Sequence, residues 1–198
     1  MDPLEQAKHY FNEGIAHALA ADSLASLPMT AEELEHHELA IQNYDKAISL
    51  CADQAIFWNA KAYSLRAMGQ AHDALGALDT AIDLDPNFSE SYYQAALCFF
   101  EFHKIDEAMT DYKTAIELSD NRDDLSNRLN QDLHKIIIKS LFYHMEIEKM
   151  GAHPENHEMG LKLIGLTEFA ASLFPLSETI SQDLILVKKN THTTGTIQ

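Results

Sequence analysis

The feature that most constrains the fold is a repeat of about 34 residues between positions 55 and 120. Side chains of the same kind recur at that spacing, with an aromatic residue at Trp58 and Tyr92 and an alanine at Ala74 and Ala108. A fixed period of this length is typical of proteins built from stacked units, because each unit buries its apolar face only against the next. We therefore expect a repeat protein over at least this stretch.

Inside each repeat, the apolar spacing predicts two helices that pack closely. Trp58, Ala62 and Leu65 are four and three residues apart, which places them on one face of a helix. Ala74 and Ala81 are seven residues apart, and their small side chains let a second helix approach the first. Each repeat is therefore predicted to be a pair of antiparallel helices.

The ends of these helices coincide with residues that do not continue a helix. Gly69 stands between the two helices, where a residue with positive φ is expected, and Pro86 follows the second helix. Combined with the apolar spacing, these residues predict helix hairpins at 55–84 and 89–118.

This pattern resembles that of the tetratricopeptide-repeat (TPR) family. The positions that carry the resemblance are Trp58, Ala62, Leu65, Ala74, Leu78, Ala81 and Pro86, and then Tyr92, Ala96, Phe99, Ala108, Tyr112 and Ala115. The departures are mild: Ala62 and Ala96 stand where the family most often has glycine, and Asp120 replaces the second proline. The resemblance implies an all-α, TPR-like α-solenoid of about three antiparallel helix hairpins. It says little about the ligand.

The N-terminal part of the chain is predicted to hold a third, irregular repeat over residues 3–52. Apolar residues at helical spacing predict a first helix over 3–21, and a longer second helix over 31–51. The second helix arrives later than the period allows, so an insertion is expected between the two.

That insertion covers residues 22–35. It contains Pro28, which stops a helix, and the pair Thr30 and Glu33, whose spacing is that of a capping box at the start of the next helix. An extended hairpin end of this kind contacts a partner or a second copy, or else is a tolerated insertion. The sequence leaves both interpretations open.

After residue 120 the period fades while helical spacing continues. Residues 123–187 are predicted to form an atypical C-terminal helical cap, and the polar, threonine-rich residues 188–198 a disordered tail. A single helical domain is therefore expected over residues 1–187. Its three repeats are predicted at 3–52, 55–86 and 89–120.

The composition narrows the classes of partner. A net charge of −17 repels phosphate backbones and anionic membranes, so nucleic acid is not expected as a partner, whereas a basic partner is favoured. The alternative is that the charge only keeps the protein in solution. No apolar run approaches the roughly 20 residues that span a bilayer, and the N-terminus lacks the basic start of a secretion signal. No membrane insertion and a cytoplasmic location are therefore expected, with Cys51 and Cys98 reduced.

The sequence offers little that could perform catalysis. It has no phosphate-binding glycine loop, no nucleophile elbow and no histidine–cysteine cluster with metal-ligand spacing. Two pairs stand out among the histidines, His36 with His37 and His153 with His157, and the second pair is interpreted as solvated histidines. The protein is therefore predicted not to be an enzyme and to hold neither a cofactor nor a metal.

The resemblance implies that the first helices of the repeats line a concave face that binds a partner. The side chains predicted to point into it, outside the packing within each repeat, are Phe11, Ile15, Asn59, Tyr63, Arg66, Tyr93, Leu97 and Phe100. Family members that clamp an acidic C-terminal peptide of chaperones use lysine, arginine and asparagine on this face. The corresponding positions here hold Phe11, Ile15, Glu90 and Gln94, so that clamp is not predicted.

Two functions remain open from the sequence. The first is a protein–protein interaction module, an adaptor or chaperone, that binds an apolar or basic peptide segment of a partner protein in the groove. The second is a structural subunit of a homo- or hetero-oligomer, in which the chain's own C-terminal helices fill the groove. The two differ in whether the groove is open to a partner.

Overall fold

The computed structural model describes residues 2–24, 29–102 and 104–119, together with the single positions 125, 127, 128 and 131. Those three ranges hold six helices: α1 (Pro3–Leu24), α2 (Ala31–Leu50), α3 (Ala55–Ala67), α4 (Ala71–Leu84), α5 (Ser89–Glu101) and α6 (Ile105–Leu118). The described residues contain no strand. The prediction of an all-α fold is confirmed.

The chain divides into two compact units, Met1–Leu118 and Ser119–Gln198. All six helices belong to the first unit. Apart from the four single positions, the predicted C-terminal helices of 123–187 and the tail of 188–198 lie outside the described residues. In the part that is described, no helix is both long and apolar enough to cross a lipid bilayer.

The two hairpins predicted at 55–84 and 89–118 are confirmed, because α3 with α4 and α5 with α6 have those bounds. Gly69, between α3 and α4, has a φ of 75°, which a residue with a β-carbon rarely adopts. Its neighbour Gln70 donates its backbone N–H to the carbonyl of Leu65 over 2.9 Å, which satisfies one of the last carbonyls of α3. After α4, the carboxylate of Asp85 accepts the N–H of Asn87 at 3.0 Å and holds the next turn.

Alanine and one large residue alternate at the contact between the paired helices. Ala74 and Ala108 are fully buried, as the close approach of the helices requires. Tyr44, Leu78 and Tyr112 occupy the same position in successive repeats and are all buried to within 1%. The second helices α2, α4 and α6 therefore present one common set of residues to their partners.

The aromatic residue that opens each regular repeat has a second contact. The indole N–H of Trp58 donates to the carbonyl of Ala52 at 2.9 Å, and the hydroxyl of Tyr92 donates to the carbonyl of Pro86 at 3.2 Å. Both carbonyls lie six residues earlier, in the turn between repeats. An aromatic ring with a polar end can pack inside the repeat and bind this turn as well, which explains why both repeats keep one here.

The first hairpin is longer than the other two. α1 has 22 residues and α2 has 20, whereas α3 and α5 have 13 and α4 and α6 have 14. The predicted capping box is confirmed: the hydroxyl of Thr30 accepts the N–H of Glu33 at 3.2 Å, and the Glu33 carboxylate accepts the N–H of Thr30 at 3.4 Å. The predicted end of α1 at residue 21 is three residues short, because no helix-breaking residue precedes Leu24. Pro28 lies outside the described residues.

In the first hairpin, a glycine on α1 allows a side chain of α2 to approach the backbone closely. Gly14 is buried, and a β-carbon built on it would lie 2.7 Å from Cδ1 of Tyr44 and closer still to Cε1. Such a separation is shorter than atoms in contact allow, so the ring of Tyr44 occupies the space that a side chain at position 14 would need. Glycine is required here for room rather than for a special backbone conformation.

Candidate functional site

The first helices of neighbouring repeats are joined by Tyr63, a side chain predicted to point into the groove. The hydroxyl of Tyr63 on α3 donates to the carboxylate of Asp22 near the end of α1, over 2.6 Å. The ring of Tyr63 lies 6.3 Å from that of His37 and 6.0 Å from the guanidinium of Arg66. Tyr63 is half-buried, so its ring is held in one place while part of it remains exposed.

Two further contacts connect α3 with α5. The hydroxyl of Ser91 donates to the side-chain oxygen of Asn59 at 3.2 Å in a buried setting. The guanidinium of Arg66 lies 3.5 Å from the carboxylate of Glu101, with both side chains partly exposed. The buried contact fixes the spacing of the two helices, whereas the exposed ion pair contributes little to stability.

Half-buried side chains occupy corresponding positions on α3 and α5. Tyr63 and Leu97 hold the same repeat position, as do Arg66 and Phe100 one helical turn later, and all four are half-buried. Ile56 is 47% exposed and precedes Tyr63 by seven residues, a spacing that places both on one face of α3. We call Ile56, Tyr63, Arg66, Leu97 and Phe100 the α3–α5 face.

Ile56 was missed in the sequence prediction. Its counterpart on α5 is Glu90, so the position is not apolar in both repeats. The signal that could have found it is the seven-residue spacing to Tyr63, which holds within one helix and does not depend on the repeat.

Phe11 and Ile15 lie in the packing of α1 against both α2 and α3. The ring of Phe11 is 4.9 Å from that of Phe57 and 5.8 Å from that of Tyr44. Ile15 packs against the buried cluster that contains Tyr44 as well. One turn after Ile15, Leu19 is exposed, so the accessible apolar surface of α1 lies further along the helix than the sequence had indicated.

Two of the predicted groove residues are buried. Asn59 is 6% exposed and Tyr93 is 4% exposed. Tyr93 lies edge-on to Tyr112 of α6, with ring centroids 5.8 Å apart. The expectation that Tyr93 stands outside the packing within its repeat is therefore wrong, because its ring contacts the second helix of the same hairpin.

One of the two cysteines, Cys98, is buried in this region. Cys98 is fully buried on α5, and burial raises the pKa of its thiol to about 12. Both Cys51 and Cys98 are free thiols in this structure. Within residues 2–24, 29–102 and 104–119, no three or more histidine, cysteine or acidic side chains gather in an arrangement that could hold a metal ion.

Comparison with known proteins identifies the repeat. Residues 21–54 and 89–122 match the family model of the tetratricopeptide repeat. Among solved structures, the TPR2B domain of yeast Sti1 in its complex with pHsp70 has a TM-score of 0.50 at 18% identity, over 61% of this chain and 84% of that domain. The fold is thus the helical solenoid of tetratricopeptide repeats.

The relatives found by sequence are much longer proteins. Serine/threonine-protein phosphatase T of Trypanosoma brucei brucei is 33% identical over 104 residues, which are 52% of this chain and 22% of the phosphatase. Serine/threonine-protein phosphatase 5 of Rattus norvegicus is 28% identical over 106 residues, 54% of this chain and 21% of that protein. The chain spans about a fifth of the length of these relatives, so the likeness carries no argument about phosphatase chemistry.

Proposed function

The chain belongs to the tetratricopeptide-repeat family, and from that premise we propose that it is a non-enzymatic protein–protein interaction module. It binds a segment of a partner protein on the α3–α5 face and acts as an adaptor or chaperone. The observation that carries the proposal is the set of half-buried side chains at matching positions of α3 and α5.

Such side chains suit binding because their geometry is fixed before a partner arrives. The hydroxyl of Tyr63 is held by Asp22, and Arg66 is paired with Glu101. Leu97 and Phe100 add apolar surface beside them. Aromatic and arginine side chains held in this way supply most of the binding energy at many interfaces, since little conformational freedom is lost on association.

Charge indicates the chemistry of the partner. The chain has a net charge of −17, and the carboxylates of Asp22 and Glu101 are bonded to two members of the α3–α5 face. A segment with apolar side chains flanked by lysine or arginine would match both the apolar surface and the field around it. We place this interaction in the cytoplasm. The complex of the Sti1 domain with pHsp70 supports the use of this fold for binding a partner.

The partner can be captured through the face itself. A photoreactive amino acid at position 56, in the full chain, should crosslink to a recurring segment of one protein in extract from the native cell. The same residue at position 84 is the control, because Leu84 is exposed on α4, a second helix. If the residue at 56 crosslinks only to this chain's own residues, the groove is self-filled and the structural-subunit interpretation replaces the proposal.

The captured segment then allows a quantitative test. The double variant Leu97→Ala and Phe100→Ala should weaken its binding by at least about tenfold, the usual scale for the loss of interface anchors. Leu84→Ala should leave the affinity unchanged, and circular dichroism should report helical content like that of the native chain for both variants. Full affinity in the folded double variant would exclude the α3–α5 face as the binding surface.

A further inference from the structure

Two histidines meet across the first hairpin. Nδ1 of His17 on α1 and Nδ1 of His36 on α2 are 3.2 Å apart, with ring centroids separated by 5.5 Å and the ring planes at 37°. Both side chains are half-buried. They are 19 residues apart in the chain, so neither a short histidine motif nor an i, i+4 pattern reveals them.

Two ring nitrogens this close would repel each other if each directed a lone pair at the other. A positively charged atom must therefore lie between them. One possibility is a proton, donated by one imidazole and accepted by the other. The other is a cation. In a tetrahedral zinc site with Zn–N bonds of about 2.0–2.1 Å, two ligand nitrogens are separated by about 3.3–3.4 Å. The observed separation of 3.2 Å is close to that value, and the two nitrogens come from different helices.

We propose that His17 and His36 form a chelating site for a divalent transition metal of the zinc class, which bridges α1 and α2. Imidazole nitrogens are suitable ligands for Zn²⁺, Ni²⁺ and Cu²⁺ and poor ones for Mg²⁺ or Ca²⁺. Two protein ligands leave the remaining positions to water, because in the described part of the chain no third metal-ligating side chain joins the pair. The site is therefore weak and exchangeable rather than a closed structural centre.

The surroundings favour a cation. The net charge of the whole chain is −17. A surface of this charge raises the local concentration of cations.

The consequence of binding is local to the longer hairpin. A metal held by one residue from each helix is bound only when α1 and α2 are in place, so it stabilises the folded hairpin over the open one. This site is separate from the α3–α5 face. Its failure would leave the proposed function untouched.

Thermal unfolding of the full chain tests the site. Adding Zn²⁺ in excess to protein kept reduced should raise Tm by about 3–6 °C, the shift that corresponds to roughly a tenfold excess of metal over its Kd in a chain of this size. His17→Ala and His36→Ala should each abolish that rise. His9→Ala is the matched control, because His9 is exposed on α1 and should leave the rise intact.

A second measurement uses only the native chain, so it remains valid if a histidine variant folds poorly. In the native chain, long-range ¹H–¹⁵N spectra of the imidazoles should shift the Nδ1 signals of His17 and His36 together on adding Zn²⁺. An equal rise in Tm for the native chain and both single variants would overturn the proposal. Unmoved Nδ1 signals would do so as well, and the pair would then share a proton only.

Discussion

The first hairpin, α1 with α2, and the second, α3 with α4, bury the same repeat positions with different residues. In the first, Gly14 leaves room for the ring of Tyr44. In the second, Ala62 and Leu78 hold the corresponding positions, and both are fully buried. A larger side chain on one helix is accompanied by a smaller one on the other, so the packed volume is kept while its distribution changes.

The two hairpins differ more at their free ends. α1 exceeds α3 by nine residues, which extends the first hairpin by about 13 Å. Leu24 and Leu34 are exposed in this extension. The regular hairpins contribute the α3–α5 face. The first hairpin contributes Asp22, which accepts the hydrogen bond of Tyr63 and helps to fix that face. The same packing scheme therefore holds hairpins with different free ends.

The largest loss of stability should come from enlarging a side chain at a position that all three hairpins bury. Ala40, Ala74 and Ala108 hold one repeat position and are all fully buried. Replacing any of them with leucine should lower the free energy of unfolding by about 3 kcal/mol, because the close helix contact must open. Denaturant unfolding measures the change, with Asp73→Leu, an exposed neighbour, as a control expected to stay within about 0.5 kcal/mol. A variant that matched the native chain would show that its hairpin does not follow the common packing.

The next largest effect on stability should be a loss in the first hairpin that has no equivalent in the second. Gly14→Ala should destabilise the protein by about 2 kcal/mol, since the added methyl group meets the ring of Tyr44. Gly76→Ala is the control: nothing lies within 4 Å of a β-carbon there, and alanine in a helix should add about 0.5–1 kcal/mol. Thermal or denaturant unfolding gives both values. If both variants lowered the free energy of unfolding, or both raised it, the account of Gly14 would be contradicted.

The smallest effect concerns charge at a shared position of the second helices. Asp45 of α2 pairs with Lys61 at 2.6 Å, whereas its counterpart Asp79 of α4 faces the carboxyl of Asp111 on α6. Burial, and to a lesser extent Asp79, raise the pKa of Asp111 to about 6 from an ordinary value of 3.8. Protonated Asp111 is therefore favoured by folding.

The raised pKa of Asp111 makes the folded protein less stable as the pH rises. The contribution of Asp111 to stability is complete below about pH 4 and is lost as the pH rises through about 6. Asp111→Asn should stabilise the protein by about 0.5–1 kcal/mol at pH 8, a value reduced because solvent screens this partly exposed group. The gain should vanish below about pH 4 when unfolding is measured across that range. A gain that persists in acid would show that another cause is responsible.

Much of the fold follows from the sequence because it depends on local spacing. The period of 34 predicts the bounds of α3 to α6, and Thr30 with Glu33 predicts the start of α2. The burial of Tyr93 could not be predicted in this way. It depends on Tyr112, 19 residues later, and on which side of α5 faces α6.

The candidate site was predicted only in outline for the same reason. Tyr63, Leu97 and Phe100 are half-buried as a groove would require, whereas Asn59 is buried by its bond with Ser91. The pair of His17 and His36 depends on the register of two helices across an insertion. No spacing rule within one helix or one repeat reports such a register.

Methyl-group NMR of the full chain with the captured partner segment tests the binding surface most directly. On titration, the methyl signals of Ile56 and Leu97 should shift progressively, because these side chains belong to the α3–α5 face. Those of Leu24 and Leu34 in the first hairpin should stay in place. Shifts concentrated at Leu24 and Leu34, with Ile56 and Leu97 unmoved, would contradict the account and assign partner binding to the extended hairpin.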